Sequence, residues 1–155
     1  MGYSTDFTGS FSLTPTLTAE RVAEINKFSE KDHRNDSDSV PGYYCQWVAS
    51  EDGTELEWDG NEKFYNYIEW LQYMIDRFFK PWGVVVSGSV DWDGEASGDT
   101  GTILVKDNEI STTSPEDIKS AAESARDVLL HFRNALDWTP EFEAVLQDLN
   151  KTLDL

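Results

Sequence analysis

Residues 64 to 82, FYNYIEWLQYMIDRFFKPW, constrain the fold more than any other stretch of the chain. At about 100° per residue, Phe64, Tyr67, Ile68, Leu71, Met74, Ile75, Phe78 and Trp82 fall on one broad helical face, which predicts that most of these side chains are core. Pro81 and Gly83 mark the end of that helix, because proline cannot continue the hydrogen-bond ladder and glycine accepts the exit conformation.

The flanking segments change period. Residues 4 to 13, STDFTGSFSL, alternate Phe7, Gly9, Phe11 and Leu13 with small polar residues, the signature of a half-buried strand. TLTAERVAEINKFSEK then sets Leu17, Val22, Ile25 and Phe28 at helical spacing, with Thr18 as N-cap. A polar loop, KDHRNDSDSVPG, leads to YYCQWVAS and TELEW, two predicted strands joined by an acidic hairpin at EDG. After the aromatic helix come VVVSGSVDW, a turn at DGEASGD, TGTILVKD and an edge strand at NEISTT.

Ser114 followed by Pro115 and two acids starts a third helix, predicted to run to about Leu136. Ile118, Ala121, Ala122, Ala125, Val128, Leu129, Phe132 and Leu136 form its stripe. Thr139 and Pro140 repeat the device for a last helix, with Phe142, Val145, Leu146, Leu149 and Leu153 expected inward. The first six elements follow the β-α-β-β-α-β order of a ferredoxin-like split βαβ sandwich. The expectation is one acidic α+β domain over 1–155: a ferredoxin-like core at 1–112, an extra β-hairpin at the sheet edge, and a C-terminal helical pair at 113–155.

Thirty Asp and Glu against twelve Lys and Arg give a formal charge of -18. That balance disfavours bare nucleic acid and anionic membranes as partners and favours a basic protein or a cation. Thirteen per cent aromatic residues argue against disorder despite the charge. Cys45 is the single cysteine, so no intramolecular disulfide forms. No apolar run reaches the length of a membrane span, and MGYSTDFTGS reads as neither a signal peptide nor, with Asp6 where Ser or Thr is wanted, a myristoylation site. Cytoplasmic location is the expectation.

The motifs MGYSTDFTGSF, YYCQWVASEDGTELEWDGNEKFYNYIEWLQYMI, KPWG, GSVDWDGE and DTGTILVKDNEI resemble a family of small proteins encoded by tailed phages, prophages and some bacteria. The resemblance covers residues 1 to about 110. It implies a mobile-element setting inside a bacterial host, and no catalytic residue to carry over.

No catalytic signature stands beside it. Cys45 lies in a predicted strand, with His33 in a polar loop and His131 near a helix end, so a structural thiol is expected rather than a nucleophile. Asp91, Asp93, Glu95 and Asp99 offer clustered carboxylates of the kind calcium prefers, yet the loop lacks the further acid and closing Glu of an EF-hand, and a plain turn is expected. Glu55 and Glu57 share one strand face and read as a solvated face beside Leu56 and Trp58. Neither a metal nor a cofactor is expected.

The acidic surface remains. Glu51, Asp52, Glu55, Glu57, Asp59 and Glu62 occur without a basic neighbour until Lys63, and the run from Asp91 to Asp117 holds eight acids and one lysine. Such density serves either solubility or attraction of a basic partner. Trp70 and Tyr73 project from the polar side of the aromatic helix, either as interface anchors or as rings covered by the C-terminal helices.

The leading expectation is a non-enzymatic phage or prophage accessory protein. It would bind and inhibit a host protein with a basic surface, mimicking DNA against a nucleic-acid-binding defence factor. The alternatives are a small-molecule or nucleotide-binding protein whose pocket is lined by Trp47, Trp58 and Trp82, or an immunity protein against a basic toxin.

Overall fold

The computed structural model describes residues 2–36, 39–132 and 139–153, and they divide into two compact units, Met1–Thr112 and Thr113–Leu155. The first is α+β. Its elements are β1 (Thr5–Thr14), α1 (Ala19–Glu30), β2 (Trp47–Ala49), β3 (Glu55–Trp58), α2 (Tyr67–Met74), one π-helical turn (Ile75–Phe79), β4 (Val85–Gly94), β5 (Thr100–Lys106) and β6 (Glu109–Thr113). The strands form one sheet in the order β2-β3-β1-β4-β5-β6, and the registered neighbours from β2 through β5 are antiparallel. Two further helices, α3 (Pro115–Phe132) and α4 (Pro140–Leu153), make up most of the second unit.

Local chemistry starts the helices where their residues predict. Thr18 Oγ1 accepts from the Arg21 backbone N–H at 3.3 Å and caps α1. At α3, Ser114 Oγ accepts from Asp117 N at 3.3 Å while Asp117 Oδ2 accepts from Ser114 N at 3.0 Å, a reciprocal box that satisfies two orphan donors. Thr139 caps α4 by accepting from Phe142 N at 3.4 Å.

Alternation on β1 decides the layers. Phe7, Phe11 and Leu13 point inward and join Leu56, Val86, Val90, Ile103 and Val105 from the other strands. Ile25 of α1 and Leu71, Met74, Ile75, Phe78 and Phe79 of the aromatic segment cover that face. Trp47 sits at the centre, with Phe7, Phe11 and Phe64 edge-on around it at centroid distances of 5.6, 5.6 and 5.3 Å.

Three local expectations change. The aromatic helix begins at Tyr67, so Phe64 reaches the core from the preceding loop. Its last turn is π-helical, and the extra residue lets both Phe78 and Phe79 turn into the core, which a uniform 100° wheel does not foresee. β2 is only three residues long, and Gln46 just before it is buried: its backbone carbonyl still accepts from the Asp59 N–H at 3.0 Å, its Nε2 donates to the Glu62 carbonyl and its Oε1 accepts from Trp58 Nε1.

The outer edge of β2 is closed by α1. Asn26 donates to the Ala49 carbonyl and accepts from the Ala49 N–H, while Ser29 Oγ donates to the Trp47 carbonyl at 2.6 Å. These side chains imitate a neighbouring strand and remove a template for edge pairing.

The β2–β3 turn rests on a glycine. Gly53 has φ +74°, and a Cβ there would stand 2.5 Å from the Leu17 carbonyl oxygen. Gly53→Ala is therefore expected to cost about 2–3 kcal/mol from strain and displacement of Leu17, measured by denaturant unfolding. A loss under about 0.5 kcal/mol would show that the turn relaxes freely.

In the second unit α3 and α4 pack together, with Ala122 and Leu146 buried and Leu129, Leu149 and Leu153 half-buried. Ile118, Ala121, Ala125, Val128, Phe142 and Val145 were expected inward, yet they are exposed. A stripe that wide cannot be covered along the single line of contact that one partner helix offers. Leu136 and the side chain of Phe132 lie outside what the structure describes.

Candidate functional site

The face of the sheet opposite the core carries no helix of the first unit and is written in Ser, Thr, Asp and Glu. The β1–β4 register sets Asp6 opposite Asp93, Thr8 opposite Asp91, Ser10 opposite Ser89 and Ser12 opposite Ser87. On the other side of β1, Glu55 lies opposite Ser12, and Ser10 Oγ donates to Glu55 Oε1 at 3.0 Å. Thr102 of β5 lies opposite Asp91 and donates its hydroxyl to Asp91 Oδ1 at 2.6 Å. Glu57 follows Glu55 at the two-residue spacing that keeps it on the same face.

Acids far apart in sequence thus meet. Glu55 and Glu57 from one acidic run, Asp91 and Asp93 from another, and Asp6 from β1 share one surface. Asp6 was not singled out from the sequence; its alternation with Phe7 was the available signal, but the register that sets it against Asp93 is a long-range fact. Like charges directly opposite on antiparallel strands are destabilising.

The other candidate acids lie off this face, several of them tied into turns. Asp52 accepts from Ser50 Oγ, Thr54 N and Thr54 Oγ1, and these bonds, the Thr54 hydroxyl first, hold its carboxyl below its ordinary value. Asp59 Oδ1 accepts from Asn61 N at 2.8 Å. Glu95 Oε1 accepts from Ser4 N at 2.6 Å. Asp99 takes the Tyr3 hydroxyl at 2.6 Å and the Trp92 indole N–H at 3.1 Å, pinning the β4–β5 turn to the N-terminal segment. Its hydrogen bond to Tyr3 raises the Tyr3 phenol above the usual range. Among the described residues no group of His, Cys, Asp and Glu is arranged to hold a metal ion. Glu51 and Glu62 are exposed beside these turns.

Trp70 is not on an open side of its helix. It is 0% exposed, covered by Phe28 and His33 at ring distances of 6.0 and 5.3 Å and met edge-on by Tyr73. Tyr73 is half-buried and stacks on Phe28 at 5.8 Å. α1 and the loop after it supply the cover, which corrects the expectation of a polar side. His33, fully buried, faces two acceptors: Nδ1 lies 2.6 Å from Asp36 Oδ2 and Nε2 lies 2.9 Å from the Phe28 carbonyl.

Cys45 is buried, and burial pushes its thiol up to about 12, far from a thiolate at neutral pH. Of the tryptophans expected to line a pocket, Trp47 is fully buried in the core with its N–H donated to the Tyr67 carbonyl. Trp58 and Trp82 are half-buried, Trp82 beneath the Arg21 guanidinium at 4.9 Å. Two cavities lie along the chain leading into β2. One of about 590 Å³ is walled by Tyr43, Tyr44, Tyr65, Lys63, Asn66 and Gly42; a second of about 540 Å³ shares Tyr44 and Gln46 with it. Lys63 and Asn66 both hold left-handed backbone, φ 64° and 57°.

No described helix is long and apolar enough to cross a membrane. Compared with protein-family models, with curated proteins and with solved structures, the chain matches none.

Proposed function

We propose that the open acidic sheet face docks a basic surface of another protein. The observation that carries this reading is the convergence of Asp6, Glu55, Glu57, Asp91 and Asp93 on one face of the sheet, four of them exposed and Glu57 half-buried. Asp6 opposite Asp93 costs stability, and a basic partner would offset that cost. Together with the resemblance to phage and prophage proteins, the charge favours a non-enzymatic accessory protein acting in the bacterial cytoplasm. In this reading it inhibits a nucleic-acid-binding defence factor by presenting carboxylates where DNA would present phosphates. An immunity protein against a basic toxin shares the same electrostatics and differs in its partner.

We read the first six elements as a ferredoxin-like split βαβ unit extended by β5 and β6, a reading supported by the neighbour order β2-β3-β1-β4. In that topology the helices of the unit pack on one face of the sheet, and the acidic face is the other.

The test is capture from bacterial lysate at low and high salt, with wild type beside a variant carrying Glu55→Lys, Glu57→Lys, Asp91→Lys and Asp93→Lys. Wild type is expected to retain a basic nucleic-acid-binding protein at low salt and release it at high salt, and the variant to retain none. Asp6→Asn should raise the melting temperature while weakening capture, because it removes the Asp6–Asp93 repulsion and one charge of the site. Equal capture by wild type and the reversed variant would end this reading.

A further inference from the structure

We infer that the two C-terminal helices are a homodimerisation unit: the apolar face that α3 and α4 share packs on the same face of a second copy to make a four-helix bundle. Among the described residues only Ala122 and Leu146 of this unit are buried, while Ile118, Val128, Phe142 and Val145 stand between 41% and 56% exposed. Two helices with two buried side chains have no core of their own. The unit Thr113–Leu155 is also near the size, about 40 residues, below which a second copy or a covalent staple is usually needed.

The uncovered residues are not scattered. At about 100° per residue, Leu129, Ile118, Ala125, Ala121 and Val128 lie between about 20° and about 120° to one side of Ala122 on α3. Leu153, Phe142, Leu149 and Val145 lie between about 20° and about 100° to the same side of Leu146 on α4. Only residues 133–139 separate the helices, a link short enough to make packed helices antiparallel neighbours. In an antiparallel pair, offsets of the same hand turn both arcs to one side, so they merge into a single face. Neither arc contains a charged residue, in a chain with thirty acids.

The pattern selects a second copy as the occupant. Ile118, Ala121, Ala125 and Val128 are spaced three, four and three, and their sizes run large, small, small, large, so spacing and size both read the same in reverse. α3 laid antiparallel on α3 of another copy sets Ile118 against Val128 and Ala121 against Ala125, the self-complementarity that a twofold interface requires. The alanines at the centre let the helices approach closely. Val145 and Leu149 of α4 match across the same axis, because buried Ala122 and Leu146 mark the middle of the two seams. At 1.5 Å per residue and about 10 Å across, the helices side by side present about 500 Å² in projection and more in accessible area, of the order of the ~800 Å² per partner in a stable interface. A lipid surface is disfavoured, since α3 and α4 carry seven acids against three Lys and Arg. The sheet unit has its own cover: α1 and the aromatic segment close its inner face, and its outer face, mostly Ser, Thr, Asp and Glu, does not match an apolar seam.

Sedimentation equilibrium on the full chain tests the inference. Wild type is expected at twice the 17.6 kDa of one chain, and added salt should tighten the dimer by screening the repulsion between two chains of charge -18. Ala125→Glu, at an exposed position and with a residue that favours helix, should raise the dissociation constant about a hundredfold or more by burying an unpaired charge in the seam. Leu130→Glu makes a similar change at an exposed residue on the opposite side of α3 and should leave the dissociation constant unchanged. Near-UV circular dichroism, dominated by the tryptophans of the sheet unit, should be unchanged in both variants, which separates loss of the dimer from loss of the fold. A wild-type monomer at concentrations up to about 100 μM would overturn the inference, because interfaces of standard size associate well below that. So would a dimer that Ala125→Glu leaves intact, which places the contact elsewhere, or one that Leu130→Glu disrupts equally.

Discussion

Trp47→Ala is expected to lower the stability of the sheet unit by about 4 kcal/mol, the range for removing a buried tryptophan from a packed core. The ring is fully buried, and Phe7, Phe11 and Phe64 would each lose an edge-on partner. The Tyr67 carbonyl would lose its 2.9 Å hydrogen bond from the indole as well. Domains of ordinary stability have about 5–15 kcal/mol in all, so the variant should stand near its unfolding threshold and melt about 10 °C lower or more. Trp47→Phe, which keeps an aromatic ring but not the donor, should lose about half as much. Calorimetry or denaturant unfolding decides it. A Trp47→Ala loss below about 1.5 kcal/mol would show that the core collapses around the gap, which contradicts the packing described.

Stability is expected to rise on mild acidification and then fall steeply. Two effects of opposite sign operate. At neutral pH the formal charge of -18 repels itself, and protonating surplus carboxylates relieves that repulsion. Against it stand three carboxyls held below the ordinary value of 3.8: Asp52 by Thr54 and Ser50, Asp36 by Lys31 and then His33, and Asp32 chiefly by the Arg34 backbone N–H. Each is more acidic folded than unfolded. Its contribution is therefore complete above 3.8 and is lost as pH falls through the depressed folded values. The melting temperature should peak at about pH 5 and drop below pH 3.8 as the 31–36 and 50–54 turns lose their anions. Asp52→Asn should flatten part of that acid limb. A melting temperature that climbs without a maximum to about pH 2.5 would show that self-repulsion outweighs all three.

The acidic readings divide according to what each carboxylate touches. Glu55, Glu57, Asp91 and Asp93 lie on the open face, whereas Asp52, Glu95 and Asp99 are engaged in holding turns. Composition alone weighs all of them equally. Reversing Asp99 would release Tyr3 and Trp92 and change the fold, so it is the wrong position at which to probe a binding surface.

Features governed by neighbours a few residues away were legible in the chain. Thr18, Ser114 with Pro115, and Thr139 with Pro140 start helices where they stand, because a cap is a hydrogen bond spanning three residues. The alternation of Phe7, Phe11 and Leu13 set the inner face of β1 for a similar reason: its period is a property of the strand itself. Features that depend on which surfaces meet were not legible. Trp70 follows the polar side of its helix in sequence, yet α1 and His33 close over it, and no local pattern records that contact. The pairing of Asp6 with Asp93 joins residues at opposite ends of the sheet unit, and register between distant strands is settled by the common core they must fill. The groove at Gly42 arises the same way, from the loop before β2 and the segment before α2, brought together only when the chain has folded.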